Sequence, residues 1–355
     1  MSSPSARSEF RGTAIAVVAV CFAFNFVARG VADAYAAFVL PLEAEFGWSR
    51  QSVTGVFATY MLMAGLGAPL AGMVFDRIGP RAVYGGGLLV LASGAWLSGR
   101  VESLWQLYLT AGLLTGLGAS ALGMVSATTL IARWHRRHLS KAIAIAYAGF
   151  GSGILVVLPA VQWAIEHHGW RFAYQALGVS VVVLWPLSMM LPWRRIAAGA
   201  PGGTRGPASH TVATSAPPPP AGRRSADDAE STHTPSSAAS SQAVPTLRDA
   251  LRTGAYWRLV QVFFFTSFAT FLVTPQTVAF LVEAGYSPIT AASALGMTGL
   301  LATAGLVATG WSVGRFGYAR TALLTYASTA IGVAMLLLAS YAPSGTVLAA
   351  HVAFF

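Results

Sequence analysis

Apolar residues in this chain come in long unbroken runs separated by short polar or glycine-rich punctuation. The runs lie at 12–40, 51–75, 81–99, 104–131, 141–165, 170–192, 255–282, 288–313 and 319–341. Each is near or above the roughly 20 residues that cross a hydrocarbon core as a helix. A tenth run begins near Val347. Barrel strands would show segments of about ten residues with alternating polarity, and these runs do not alternate. The pattern predicts an all-α membrane protein, with Cys21 inside span 1 as a packing residue rather than part of a disulfide framework or metal site.

The punctuation repeats. Gly72-Met-Val-Phe-Asp76-Arg77-Ile-Gly79-Pro-Arg81 returns in degraded form as Gly310-Trp-Ser-Val-Gly314-Arg315-Phe-Gly317, offset by 238 residues. The offset holds without a gap back to Glu45-Phe-Gly47-Trp48-Ser49 against Glu283-Ala-Gly285-Tyr286-Ser287. Nine pairs are identical: Glu45, Gly47, Ser49, Leu62, Ala64, Gly67, Gly72, Arg77 and Gly79 with their counterparts. Duplicated membrane halves of this kind build solute carriers.

Composition and charge narrow the reading. With 55% hydrophobic and 10% charged residues and a mean hydropathy of +0.61, the chain has too little polar surface for a soluble globule. If the N-terminus is cytoplasmic, eighteen Lys and Arg residues fall on the cytoplasmic side and three, Arg50, Arg100 and Arg171, on the other; Arg29 lies within span 1. The net charge of +10 is thus topology. The cluster Arg133-Trp-His-Arg136-Arg137 between two spans reads as a membrane-surface anchor touching lipids, not as a nucleic-acid contact. Arg7 and Arg11 before an apolar stretch imitate a secretory signal, but eight further spans favour a retained first helix. Twenty-one arginines against one lysine point to a GC-rich bacterial genome, hence to an inner-membrane location.

The organisation expected is a cytoplasmic N-terminus at 1–11, a six-helix bundle at 12–193, a disordered cytoplasmic linker at 194–247 and a second bundle at 248–355. The linker carries Pro217 to Pro220 and many Ser, Ala and Gly residues, with little that could seed a core. Thr246 to Arg252 reads as an amphipathic surface helix.

The Gly72 to Arg81 signature and the duplicated architecture resemble the major facilitator superfamily. Leu42 to Arg50, Leu104-Trp105-Gln106-Leu107-Tyr108, Arg133 to Arg137 with Ala146-Tyr-Ala-Gly-Phe-Gly151, and Gly169-Trp170-Arg171 resemble its bacterial monocarboxylate-transporter-like branch. The resemblance implies two pseudo-symmetric six-helix bundles working by alternating access. It also implies twelve spans, so the second bundle is expected to be truncated within helix 10, with about 80 residues absent. Two positions depart from the branch: Leu306 stands where span 8 often carries an arginine, and Gln276 where span 7 often carries a histidine.

The candidate gating loop comprises Gly72, Asp76, Arg77, Gly79 and Arg81, with Arg315 as the counterpart of Arg77. Gly72 would let a neighbouring helix approach. Asp76 would accept from the N-terminus of an adjoining helix, and Arg77 and Arg81 would bind lipid phosphates or pair across the halves. Within the membrane, Arg29 and Asp33 share one helix face four residues apart, and charge at that depth is a functional hypothesis by default. Arg29 is the candidate cation for a carboxylate, Asp33 its counter-ion or H+ partner, and Tyr60, Tyr147, Phe24, Phe26 and Gln276 are candidate lining residues. Gly112, Gly116, Gly118 and Ser120 form a small-residue stripe in span 4, and Gly149, Gly151 and Gly153 a packing or hinge set in span 5.

No paired carboxylates, His group or Ser/His pair occur at membrane depth in the sequence, so an enzyme is not expected. Nor is a cofactor or metal. The expectation is a monomeric secondary transporter of a small organic anion, with H+ or by exchange. The alternatives are an efflux carrier for another small molecule and a transport-inactive sensor or scaffold.

Overall fold

A computed structural model describes residues 4–135, 139–199, 253–341 and 344–355 of the chain. No strand occurs among the described residues. Among the described residues, eight helical segments are long and apolar enough to cross a membrane: Gly12–Phe46, Arg50–Ile78, Leu104–Trp134, Lys141–His168, Trp170–Met189, Tyr256–Glu283, Pro288–Phe316 and Tyr318–Tyr341. We call these spans 1, 2, 4, 5, 6, 7, 8 and 9. The expected span 3 forms a helix at Pro80–Ser98, where Arg81 and three successive glycines dilute the apolar content. The tenth run forms the helix Gly345–Phe354. Most helices overrun their apolar runs by a few residues, because helical hydrogen bonding continues past the hydrocarbon boundary.

Two compact units divide the chain, residues 1–203 with 271–355, and residues 204–270. In the smaller unit the described part is the body of the helix Gly254–Val273, where Phe264 and Phe265 are exposed and meet edge to face. Residues 200–252 hold most of the expected linker and all of the expected amphipathic helix, and lie outside the described residues. The first five linker positions are ordered differently from expectation: Trp193–Ala198 is a short helix, because the Trp193 and Ile196 side chains are buried.

In the larger unit the sequence repeat becomes a repeat of helix ends. Spans 2 and 8 are both 29 residues long and begin and end at positions 238 apart. Ser49 and Ser287 are their N-caps, with nearly identical extended backbones, and each hydroxyl accepts from the N–H three residues on, at 3.3 and 3.2 Å. Gly47 and Gly285 precede them at φ +66° and +96°, and Gly79 and Gly317 end the two helices at +96° and +79°. That left-handed region disfavours any residue with a Cβ. Five of the nine identical pairs thus sit at or beside the helix ends.

Three spans are interrupted where the sequence predicts continuous helix. Span 1 breaks at Ala34, directly after Asp33, into Pro4–Asp33 and Tyr35–Phe46. Span 7 breaks at nearly the same repeat position: Thr274–Gln276 is a 3-10 turn between Gly254–Val273 and Thr277–Glu283. Span 4 contains a π-helix at Tyr108–Leu114 and a second break at Gly123. At its exit the Thr115 hydroxyl donates to the Thr110 carbonyl at 3.1 Å, satisfying an acceptor near the widened turn.

Small residues set the closest helix contacts, as predicted for spans 4 and 5. A Cβ on Gly118 would lie 2.5 Å from the Leu91 nitrogen, and one on Gly116 would lie 2.7 Å from the Tyr60 carbonyl. Gly149 and Gly153 pack on the carbonyls of Phe22 and Phe26, and Gly151 packs on the Gly299 carbonyl of span 8. Gly72 behaves otherwise than expected: its nearest neighbour, Val125 Cγ1, would stand at an ordinary 3.5 Å from an added Cβ. The close approach on span 2 belongs to Gly67, which faces the Ser120 side chain.

Candidate functional site

Span 1 carries its polar residues at a spacing of four, Cys21, Asn25, Arg29 and Asp33, so they line one helix face. Cys21 and Asn25 are turned into protein: the thiol faces the Ala127 carbonyl at 3.9 Å, and the Asn25 amide donates to the Ala146 carbonyl at 3.0 Å. One turn further on, Arg29 Nη2 lies 2.9 Å from Asp33 Oδ2, with the Asp33 side chain 1% exposed and that of Arg29 26% exposed. The guanidinium sits 5.8 Å from the Phe150 ring of span 5, and the Tyr60 hydroxyl of span 2 is within its interaction range. Helix ends immediately after Asp33, so the pair stands at the break in span 1.

Three spans thus converge on Arg29: span 1 by the ion pair, span 2 by Tyr60 and span 5 by Phe150. The same three elements of the first half touch the second half. Tyr35–Phe46 packs on Thr277–Glu283, span 2 on the turn at Thr274–Gln276, and span 5 along span 8. Beside the cluster, Tyr35, Phe57, Tyr60, Thr115 and Tyr174 enclose a cavity with room for about one water. Tyr174 brings a buried hydroxyl that has no hydrogen-bond partner among the described residues.

At the end of the bundle marked by Arg50, a second charged group joins the halves. The Arg50 guanidinium donates to both oxygens of Glu43, at 2.9 and 2.8 Å, and to both oxygens of Glu283, at 2.9 and 2.5 Å. Glu43 belongs to span 1, Arg50 to span 2 and Glu283 to span 7, so one planar cation clasps three spans and both halves. Glu45, the repeat counterpart of Glu283, stays within its own half: it accepts from the Trp170 indole at 2.5 Å and from Arg171.

The opposite end carries the predicted gating loop. Among the described residues, Asp76 accepts from no helix N-terminus. It pairs with Arg133 of span 4 at 3.9 Å, and Arg133 also lies over the Phe75 ring at 5.0 Å. The end of span 4 lies beside Asp76, and its guanidinium reaches the carboxylate first. Arg77 and Arg81 are exposed, and Arg315 rests near Trp311 and Phe316 of its own span. Arg136 and Arg137 lie outside the described residues.

Of the predicted membrane-depth residues, the fold brings Arg29, Asp33 and Tyr60 together. Tyr147 packs its ring on Phe150 at 5.3 Å, one residue removed from the guanidinium, and its hydroxyl is buried without a partner among the described residues. Gln276 lies in the break of span 7 and makes no described contact with the cluster. Phe24 is not a lining residue: it stacks on Tyr84 at 4.3 Å and near Trp193, inside the first bundle. His167 and His168 form the last helical turn of span 5, with His167 stacked on Trp163. Sequence reading missed Asn25, Phe150 and Tyr174; the four-residue polar spacing of span 1 would have found Asn25.

A duplicated, all-helical membrane bundle with a charged pair at the break of its first span and an ionic clasp between its halves defines a class of carrier-like membrane proteins. The chain belongs to the Major Facilitator Superfamily, whose family model matches residues 14–355; its members are transporters, not enzymes. It is 31% identical over 168 residues to monocarboxylate transporter 12 of Rattus norvegicus, covering 47% of this chain and 34% of that protein. It is 30% identical over 181 residues to monocarboxylate transporter 13 of Bos taurus, covering 49% and 42%. The chain therefore spans less than half the length of these relatives. Its fold is similar to the partially occluded inward open conformation of the xylose transporter XylE from E. coli, with a TM-score of 0.59 at 14% identity over 96% of this chain and 84% of that one. A D-xylose-proton symporter is similar at a TM-score of 0.56 and 15% identity, covering 96% of this chain and 79% of that one.

Proposed function

We propose that the chain is a secondary transporter that carries a small organic anion, a monocarboxylate or dicarboxylate, by alternating access between its halves. The observation that carries this reading is the Arg29–Asp33 pair at 2.9 Å, placed at a helix break on the side of the first half that meets the second. An incoming carboxylate can offer Arg29 two parallel acceptors, where Asp33 at rest supplies a single close oxygen at 2.9 Å. Displaced from its cation, the enclosed Asp33 carboxylate is stable only as the neutral acid, so entry of the anion brings in a proton. Tyr60 adds a hydroxyl to the anion site, and Tyr147 and Gln276 line its approaches. The names of the relatives support a carboxylate substrate, and Arg29 supplies the cation that Leu306 does not.

In this reading the Arg50 end is external and the Asp76 end cytoplasmic, as is the N-terminus, in a bacterial inner membrane. The Arg50 clasp closes the outer side, and the loop from Gly72 to Arg81, with Asp76 on Arg133, orders the inner side with Arg315 opposite. The groups gathered at Arg29 come from one copy of the chain, which supports a monomer as the working unit.

The test is uptake of labelled lactate, pyruvate and oxalate by proteoliposomes holding the full chain, Arg29→Gln or Arg29→Lys. We expect uptake of at least one acid by the parent, a loss of about tenfold or more in the Gln variant, and partial retention with Lys, which keeps the charge without the planar fork. Equal rates in parent and Arg29→Gln would remove Arg29 from the site.

A further inference from the structure

At the Asp76 end of the first bundle, a cavity of about 540 Å³ opens between the start of span 3 and the chain leaving span 6. Among the described residues its charged lining is Arg81, Arg194 and Arg195, with no carboxylate. None of the three arginines is ion-paired among the described residues. Its apolar wall includes Ile78, Pro80 and the buried Trp193. Three like charges around one cavity are held together at a cost unless an anion joins them.

The walls are held in place. The short helix Trp193–Ala198 hangs on two indole hydrogen bonds, Trp134 to the Ile196 carbonyl and Trp193 to the Ser188 carbonyl, both 2.8 Å, and Arg133 reaches the Ala197 carbonyl at 3.5 Å. On the facing side stands the N-terminus of the 19-residue helix Pro80–Ser98, capped by Gly79 with no side-chain hydrogen bond. Its first N–H groups and the positive end of its dipole add to the field of the arginines. The cavity also lies where three apolar segments end, at Ile78, Pro80 and Leu191, which is the depth of the headgroup layer.

From this juxtaposition we infer that the cavity is a binding site for the phosphate headgroup of an anionic phospholipid. Arg81, Arg194 and Arg195 meet the phosphate, and Ile78, Pro80 and the Trp193 ring lie against the glycerol and upper acyl chains. A soluble phosphate would use the arginines but gain nothing from the apolar wall. The apolar wall is therefore what favours the lipid.

The experiment is native mass spectrometry of the full chain in neutral detergent, titrated separately with phosphatidylglycerol, phosphatidylcholine and inorganic phosphate. Each Arg near a membrane surface contributes about a fivefold gain in binding of an anionic lipid, so Arg194→Gln/Arg195→Gln should weaken phosphatidylglycerol by about thirtyfold and Arg81→Gln by about fivefold. Arg320→Gln, an exposed arginine outside the cavity, should leave it unchanged. Retention of phosphatidylcholine as tight as phosphatidylglycerol, or the same loss in Arg320→Gln as in the double variant, would overturn the site. Inorganic phosphate bound as tightly as the lipid, and lost in the double variant, would overturn the lipid and assign a soluble anion. Melting of each variant checks that these exposed substitutions leave the fold intact, and Arg81→Gln tests the site separately from the short helix.

Discussion

The two copies of the Glu-x-Gly-x-Ser segment, Glu45 to Ser49 and Glu283 to Ser287, share a backbone and divide on where the glutamate points its charge. Both have a glycine at positive φ and a serine capping a 29-residue helix. Glu45 takes Trp170 and Arg171 from its own half, whereas Glu283 takes Arg50 from the other half. The residue after the capping serine explains the difference: it is Arg50 in the first copy and Pro288 in the second, so only the first copy has a cation to extend. At the far end of the same helices, Asp76 pairs with Arg133 while its counterpart Gly314 has no neighbour for a Cβ within 4 Å. Helix ends impose the same demands in both copies and keep their residues. Side chains beyond them are free to diverge, and one divergence fastens the halves together.

The comparison is broken most forcefully at the contact between the halves. In Gly151→Val the new side chain meets the Gly299 carbonyl, which belongs to backbone and cannot rotate away, so spans 5 and 8 must separate. We expect a cost of about 1–3 kcal/mol, seen as a lower melting temperature and a loss of uptake; Gly86→Ala, which meets nothing, serves as the control. Unchanged melting in Gly151→Val would mean that spans 5 and 8 do not pack this way.

The backbone equivalence is sharpened by paired substitutions. Gly47→Ala and Gly285→Ala should each destabilise by about 1–2 kcal/mol, because both positions have positive φ and open space around them, leaving strain as the only term. Ser49→Ala and Ser287→Ala should each cost about 1 kcal/mol through the lost cap. Denaturation that ranks one copy far from the other would end the equivalence.

The smallest effects lie in the ion pairs. Double-mutant cycles for Arg50 with Glu283 and for Arg171 with Glu45 should each give about 0.2–1 kcal/mol, since both pairs are partly exposed. Their consequences should differ. In a Cys21→Ser background, a cysteine replacing Ala284 should be labelled faster when Arg50→Gln opens the clasp, and at the unchanged rate in Arg171→Gln. Equal labelling in both would deny that the clasp joins the halves.

Much of the scaffold was legible without coordinates. Run length and punctuation placed the helices to within a few residues, and the repeat located the caps at Gly47, Ser49, Gly79 and their counterparts. Arg29 and Asp33 were legible because charge inside an apolar run is costly and their spacing puts them on one face. The breaks in spans 1, 4 and 7 were not legible. Pro275 marks one of them, but Pro41, Pro69, Pro159 and Pro186 sit inside helices that continue.

What the sequence determined by itself is therefore the set of terms acting along the chain: apolar length, charge by segment, and the turn and cap residues that helix ends require. Partners separated by tens to hundreds of residues were decided only by tertiary structure. Arg50 selected Glu283 as well as Glu43, Asp76 took Arg133 rather than a helix end, and Phe150 and Tyr60 reached Arg29 from other spans. A carboxylate or guanidinium carries no local mark of its partner. The choice follows from which helix ends the packing of small residues brings within a few ångströms of one another.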